Sequence, residues 1–132
     1  MENNEFAQMP GSLELAFLGD TLWDLMVRER LVRRGGRMKD LNRAAVKCVC
    51  AKAQSEALAR VEPMLTEEEA AVARRARNAR QTPTKNADPG EYHRATALEA
   101  LVGWLYLTGQ RARMEELMNA ALPAGDMPGG TP

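Results

Sequence analysis

The sequence predicts an all-α fold organised around two strongly apolar helices. Apolar residues dominate segments 13–27 and 95–107 over several helical turns, so each helix would be buried on most of its circumference. The segments between them are rich in Ala, Lys, Glu and Gln, and none alternates convincingly in the manner of a strand. The chain has 132 residues, of which 45% are hydrophobic and 27% charged, as is typical of one globular domain.

Capping, glycine and proline signals justify the individual helices. Ser12 is placed to cap the first helix and Gly35 to end it. A break is expected near Val49–Cys50, where β-branched residues weaken the second helical region. Thr66 and Glu69 have the spacing of a capping box at the start of the third. These signals predict five helical regions: 12–34, 39 or 40 to 61, 66–77, 91–108 and 111–122.

The predicted domain spans residues 12–122. Residues 1–11 end in Pro-Gly and are interpreted as a flexible leader, and the Gly- and Pro-rich residues 123–132 as a disordered tail. Residues 78–90 form a long polar loop, and loops of this length inside a compact domain are usually functional or mobile.

The sequence shows no targeting signal and has two closely spaced cysteines, which favours a cytoplasmic protein with no membrane partner. The leader contains Glu2 and Glu5 and lacks the apolar run of a signal peptide. Segment 13–27 carries three acids, Glu14, Asp20 and Asp24, and is shorter than the ~20 residues of a membrane span. Cys48 and Cys50 are too close to staple a fold and too few for a structural zinc site, so reduced thiols are expected.

Each apolar helix carries an acid where an apolar residue is expected. Asp20 lies in the first helix, with Asp24 one turn later, and Glu99 lies in the second, with Thr96 one turn earlier. Burying an unpaired carboxylate is unfavourable, and a divalent cation between the helices would remove that penalty. Oxygen ligands without a nearby His or Cys favour Mg²⁺ or Mn²⁺. The sequence therefore predicts a metal site, if the two helices pack face to face.

Simpler interpretations of these acids remain open at this point. Asp20 could be a polar residue where its helix reaches the surface, and Glu99 could be a buried acid paired with Arg94. Asp24 and Arg28 have the spacing of a surface ion pair.

Six short motifs, in order along 13–122, carry a resemblance to a known family. Residues 15–20 (LAFLGD) and 98–103 (LEALVG) resemble the two signature helices of the ribonuclease III catalytic domain. The resemblance is closer to the short branch called Mini-ribonuclease III, which has similar motifs at four further places: 49–54 (VCAKAQ), 65–69 (LTEEE), 77–80 (RNAR) and 82–86 (TPTKN).

This resemblance implies an Mg²⁺-dependent endoribonuclease, with Mn²⁺ able to substitute, that cuts double-stranded RNA as a homodimer. It assigns Asp20 and Glu99 as catalytic and metal-binding residues, with Asp24 and Thr96 as possible supporting residues beyond the direct ligands. The larger enzymes have two more acids, where this chain has Ala16 and Thr96, so a weaker or more hydrated metal site is implied. The branch matures large-subunit (23S) ribosomal RNA precursors, leaving 5′-phosphate and 3′-hydroxyl ends.

RNA affinity is expected to come from the catalytic domain, because no double-stranded-RNA-binding domain follows Leu122 in this sequence. The net charge is zero, so binding must depend on local clusters of basic residues. The candidates for phosphate contact are Arg77, Arg80, Lys85, Lys47 and Lys52. The arginines after Thr66 could instead only complement the dipole of their helix. Two alternatives to the enzyme are a non-catalytic RNA-binding module of the same fold and a helical protein-interaction domain.

Overall fold

The computed structural model describes residues 9–123. Residues 1–8 of the predicted leader and 124–132 of the predicted tail lie outside the described residues. The described part contains six α-helices and no strand, which confirms the all-α prediction. The helices are α1 (Ser12–Arg34), α2 (Met38–Val49), α3 (Ala51–Val61), α4 (Glu67–Arg77), α5 (Pro89–Leu107) and α6 (Arg111–Ala121), with a 3₁₀ turn at Glu62–Met64.

Helix α5 is the centre of the fold. Helices α1, α3 and α4 pack directly against it, α6 packs on α3 and α5, and α2 packs on α1. The apolar faces of these helices meet in one core, whose fully buried members include Trp23, Leu31, Leu58, Leu101 and Leu105. The indole Nε1 of Trp23 also donates to the carbonyl oxygen of Cys48 at 3.0 Å, which joins α1 to α2. Both apolar segments found in the sequence are therefore core helices.

The cap of α1 and the starts of α2 and α5 differ from the sequence prediction. Helix α2 begins at Met38, one or two residues earlier than predicted. The N-cap of α1 is Gly11 and not Ser12, and no side-chain cap forms there. Helix α5 begins at Pro89, two residues earlier than predicted, because Asp88 accepts a hydrogen bond from the Glu91 backbone N–H at 3.0 Å. Proline at the first helical position has its φ already set for a helix. The long loop is correspondingly shorter and covers residues 78–88.

Two other local predictions are confirmed. The Thr66 hydroxyl accepts from the Glu69 N–H at 3.1 Å, and the Glu69 carboxylate accepts from the Thr66 N–H at 2.9 Å, so the capping box forms. The second helical region breaks at Cys50, whose extended backbone separates α2 from α3.

A buried ion pair fixes the position of α6. Arg113 donates to both carboxylate oxygens of Glu69, at 2.9 and 2.8 Å, and to the carbonyl oxygen of Met64 at 2.7 Å. The hydrogen bonds from Arg113 hold the pKa of Glu69 below its usual value despite burial. Cys48 and Cys50 carry free thiols. No helix within residues 9–123 combines the length and apolarity needed to cross a membrane.

Candidate active site

The candidate site depends on an unusually close contact between α1 and α5. A Cβ atom on Gly19 would overlap the carbonyl oxygen of Glu99, and one on Gly103 would overlap the carbonyl oxygen of Leu15. Only glycine at these two positions lets the helix backbones approach this closely. Because Asp20 follows Gly19 and Glu99 lies one turn before Gly103, the same contact brings the two acids together.

The carboxyl groups of Asp20 and Glu99 interact directly. Asp20 is exposed and Glu99 is half-buried. Burial raises the pKa of Glu99 to about 8, aided by the hydrogen bond and the charge of Asp20, and opposed by a hydrogen bond from Gln54. The side-chain amide of Gln54 on α3 donates to Oε2 of Glu99 at 3.3 Å. The interpretation that pairs Glu99 with Arg94 is wrong, because Arg94 donates to Ser55 at 3.1 Å and to Glu62 at 2.9 Å.

A cleft of about 410 Å³ opens beside this pair of acids. Its walls come from α1, the start of α3, the loop before α5, and α5 itself. Its polar lining consists of two acids, two amides, a threonine and a tyrosine: Asp20, Glu99, Gln54, Gln81, Thr96 and Tyr92. Ala16 lines the same cleft.

The donor set of this cleft fits a hard divalent cation. No group of three or more His, Cys, Asp or Glu side chains within residues 9–123 is arranged to hold a metal, and two carboxylates, Asp20 and Glu99, line the cleft. Mg²⁺ is commonly held by one or two carboxylates, with water and substrate phosphates completing its shell. Asp20 helps to raise the pKa of Glu99, and a divalent cation would offset the repulsion between the two carboxylates. Asp20 and Glu99 would be the residues that hold it.

Thr96 connects the cleft to the loop. Its hydroxyl donates to the carbonyl oxygen of Tyr92 at 3.1 Å and accepts from the side-chain amide of Gln81 at 2.8 Å. Thr96 is buried one turn before Glu99, so Gln81 anchors the first part of loop 78–88 beside the acids.

Asp24, the other proposed supporting residue, forms an ion pair with Arg28 at 3.0 Å on the exposed side of α1. This is the surface pair that the i,i+4 spacing indicates.

The five basic candidates are all exposed. Arg80 directly precedes Gln81, and Lys85 lies in the same loop, so both are close in the chain to the wall of the cleft. Lys52 follows Ala51, which lines the cleft, and Lys47 lies near the end of α2. Arg77 ends α4 and borders a separate cavity of about 160 Å³.

Gln54 and Gln81 line the cleft, although neither is among the site residues that the sequence predicts. Gln54 belongs to a motif that carries the family resemblance, which was the available signal. Nothing in the sequence indicates a functional role for Gln81 beyond its place in a long polar loop. Both contacts depend on how α3 and the loop pack against α5.

Comparison with known proteins places this geometry in a family. The family model of the ribonuclease III domain matches residues 13–110. A Mini-ribonuclease 3 from Symbiobacterium thermophilum is 50% identical over 83% of this chain and 85% of its own length. A Mini-ribonuclease 3 from Brevibacillus brevis is 41% identical over 92% of this chain and 94% of its own length.

A solved structure has the same fold. The crystal structure of a Fusobacterium nucleatum protein superposes with a TM-score of 0.81 and 32% identity, over 89% of this chain and 91% of that one. The family model's match at residues 13–110 includes the residues that line the cleft, so fold and sequence agree. The chain belongs to the ribonuclease III family, in its Mini-ribonuclease III branch.

Proposed function

We propose that this chain is a divalent-metal-dependent endoribonuclease that cleaves double-stranded RNA. The observation that carries the proposal is the meeting of Asp20 and Glu99 in an open cleft, at the contact between α1 and α5. The names of its relatives and the ribonuclease III domain support the nuclease activity.

Asp20 and Glu99 are proposed to bind Mg²⁺, with Mn²⁺ as a substitute. A bound divalent cation supplies charge stabilisation for an attacking water and for the leaving 3′ oxygen, which yields 5′-phosphate and 3′-hydroxyl ends. Glu99 loses its proton before it can act as a ligand, since its pKa is raised to about 8. Asp20, on the exposed side of the pair, supplies the second negative charge. Asp24 and Thr96 are proposed only as supporting residues beyond the direct metal ligands.

RNA contact is assigned to the exposed cations around the cleft. Arg80 and Lys85 lie in loop 78–88, which Gln81 anchors beside the cleft. Lys47 lies near the end of α2 and Lys52 near the start of α3. Arg77 extends this basic surface at the end of α4. Such residues bind phosphates and read the shape of an A-form duplex, because its major groove is too narrow for side chains.

We propose that the active protein is a homodimer, in which each protomer cuts one strand. Helix α1 exposes a set of large apolar side chains: Leu13, Phe17 at 84%, Leu25 at 61% and Val32 at 67%. Exposed apolar surface of this kind favours association. Sedimentation velocity of Leu25→Glu tests this assignment, and dissociation to a monomer is expected.

The proposed substrate is the precursor of 23S ribosomal RNA in the cytoplasm, on the strength of the resemblance to the Mini-ribonuclease III branch. Cleavage of a precursor duplex at one position, compared with an unrelated duplex of equal length, tests this choice.

The nuclease proposal is tested with a duplex RNA incubated with and without Mg²⁺. We expect cleavage that requires Mg²⁺ and is abolished in Asp20→Asn and in Glu99→Gln. Glu29→Gln is the matched control, since it removes an exposed acid of α1 that pairs with Arg33. Salt-sensitive binding without cleavage would overturn the enzyme in favour of an RNA-binding module, and neither binding nor cleavage would leave a protein-interaction domain.

A further inference from the structure

Gln54 is a buried amide whose place in the fold calls for an explanation. Its exposed fraction is 3%, and within residues 9–123 only Glu69 and Thr96 are other polar or charged side chains buried to this degree. Burying an amide is unfavourable unless it is hydrogen-bonded. The bond that Gln54 donates runs from α3 to Oε2 of Glu99 on α5, at 3.3 Å.

We propose that Gln54 is a positioning residue that fixes the orientation of the Glu99 carboxylate for binding a divalent cation. This inference rests on the proposed function. The terminal torsion of a glutamate is broad, so an unrestrained carboxylate samples many orientations. A donor on one oxygen restricts that rotation, and Gln54 is itself held by burial among the helices. Such outer partners orient the carboxylates that bind metals in many proteins.

The chemical type of Gln54 suits this role. Arg113 shows the alternative, since its guanidinium binds both oxygens of Glu69 and neutralises that acid. A cation at position 54 would compete with a divalent metal for Glu99 in the same way. An amide supplies one hydrogen bond and no charge, so it can orient Glu99 without neutralising it.

The test measures metal binding and needs no RNA. The variant Gln54→Met keeps the side-chain length and removes the donor. Its matched control is Gln110→Met, which removes a partly buried amide that donates to Thr108, and Gln110 is not among the residues that line the cleft. Mn²⁺ is titrated calorimetrically into the metal-free protein, and thermal unfolding is recorded for each variant. We expect Gln54→Met to weaken Mn²⁺ binding about tenfold or more, and Gln110→Met to match the wild type.

A purely structural role gives a different pattern. A lowered unfolding midpoint with unchanged Mn²⁺ affinity in Gln54→Met would overturn the inference and leave the nuclease proposal standing. A wild type that binds neither Mn²⁺ nor Mg²⁺ would contradict metal dependence itself, and this inference with it.

A second measurement uses the wild-type protein and does not depend on the stability of a variant. The side-chain NH₂ groups of Gln54 and Gln81 are followed by ¹⁵N–¹H NMR as Mg²⁺ is added. The Gln54 signals should shift in step with metal binding and by more than those of Gln81. Unchanged Gln54 signals at saturating Mg²⁺ would overturn the inference.

Discussion

Glu69 is buried and Glu99 is half-buried, and the two acids have opposite electrostatic environments. Glu69 receives two hydrogen bonds from Arg113 and one from the Thr66 backbone, which hold its pKa below the usual value. Glu99 faces the carboxyl of Asp20 and the neutral amide of Gln54, and burial with Asp20 raises its pKa to about 8.

The comparison shows that burial alone does not identify a functional acid. The fold supplies a cation to Glu69, so that acid ties the start of α4 to Arg113 on α6. At Glu99 the fold supplies a second acid, which is unfavourable in the absence of a metal. Perturbed carboxyl pairs of this kind cluster at functional sites. Four predictions test or refine this contrast, beginning with the largest expected effect.

Removing the cation beside Glu69 should destabilise the whole domain. Arg113→Met leaves a buried carboxylate unpaired, and the free energy of unfolding should fall by about 3–5 kcal/mol. The control Arg33→Met breaks the exposed pair with Glu29 and should change it by less than about 1 kcal/mol. Urea unfolding measures both. Similar values for the two variants would contradict a structural role for the Glu69 pair.

The pH dependence of stability should carry the opposite sign at the two acids. The ordinary pKa of Glu99 is 4.5 and its folded value is about 8, so the unfolded chain loses this proton first. The metal-free protein should therefore lose stability as pH rises from about 4.5 to 8. Glu69 has a lowered folded pKa, so its contribution is lost only as pH falls below 4.5.

Glu99→Gln isolates this effect. The variant should remove the decline in stability above pH 4.5, so the metal-free protein should be more stable at alkaline pH by about 0.5–2 kcal/mol. We expect this variant to be unable to cleave RNA. Thermal unfolding in a chelator across this pH range measures the slope. The same slope in wild type and variant would show that Glu99 is not the group responsible.

Loosening the loop should affect substrate binding more than chemistry. Gln81→Met removes the hydrogen bond to Thr96, so loop 78–88 should be less well held beside the cleft. We expect KM to rise several-fold with kcat nearly unchanged, and trypsin to cleave after Lys85 faster than in the wild type. A fall in kcat at constant KM would instead give Gln81 a part in the chemical step.

The smallest expected effect is the loss of one phosphate contact. Lys85→Gln should weaken RNA binding modestly and reduce the slope of log affinity against log salt concentration by about one. Arg33→Gln, at the far end of α1, is the control for a general change in charge. Equal slopes for Lys85→Gln and the wild type would remove Lys85 from the RNA interface.

The helices and the acid pair could be predicted from the sequence because their signals are local or strong. Two apolar segments define α1 and α5, and each contains one conspicuous acid, Asp20 or Glu99. The early start of α5 was missed because Asp-Pro-Gly is typical of a turn as well as of an N-cap followed by proline. The contacts of Gln54 and Gln81 depend on tertiary packing, which no local pattern specifies.

The most direct test of the central claim is anomalous diffraction from crystals of this protein soaked in Mn²⁺. The account predicts a peak between Asp20 and Glu99, within coordination distance of both carboxylates, and its loss in Glu99→Gln. Mn²⁺ bound elsewhere, with these two acids unoccupied at saturation, would contradict it.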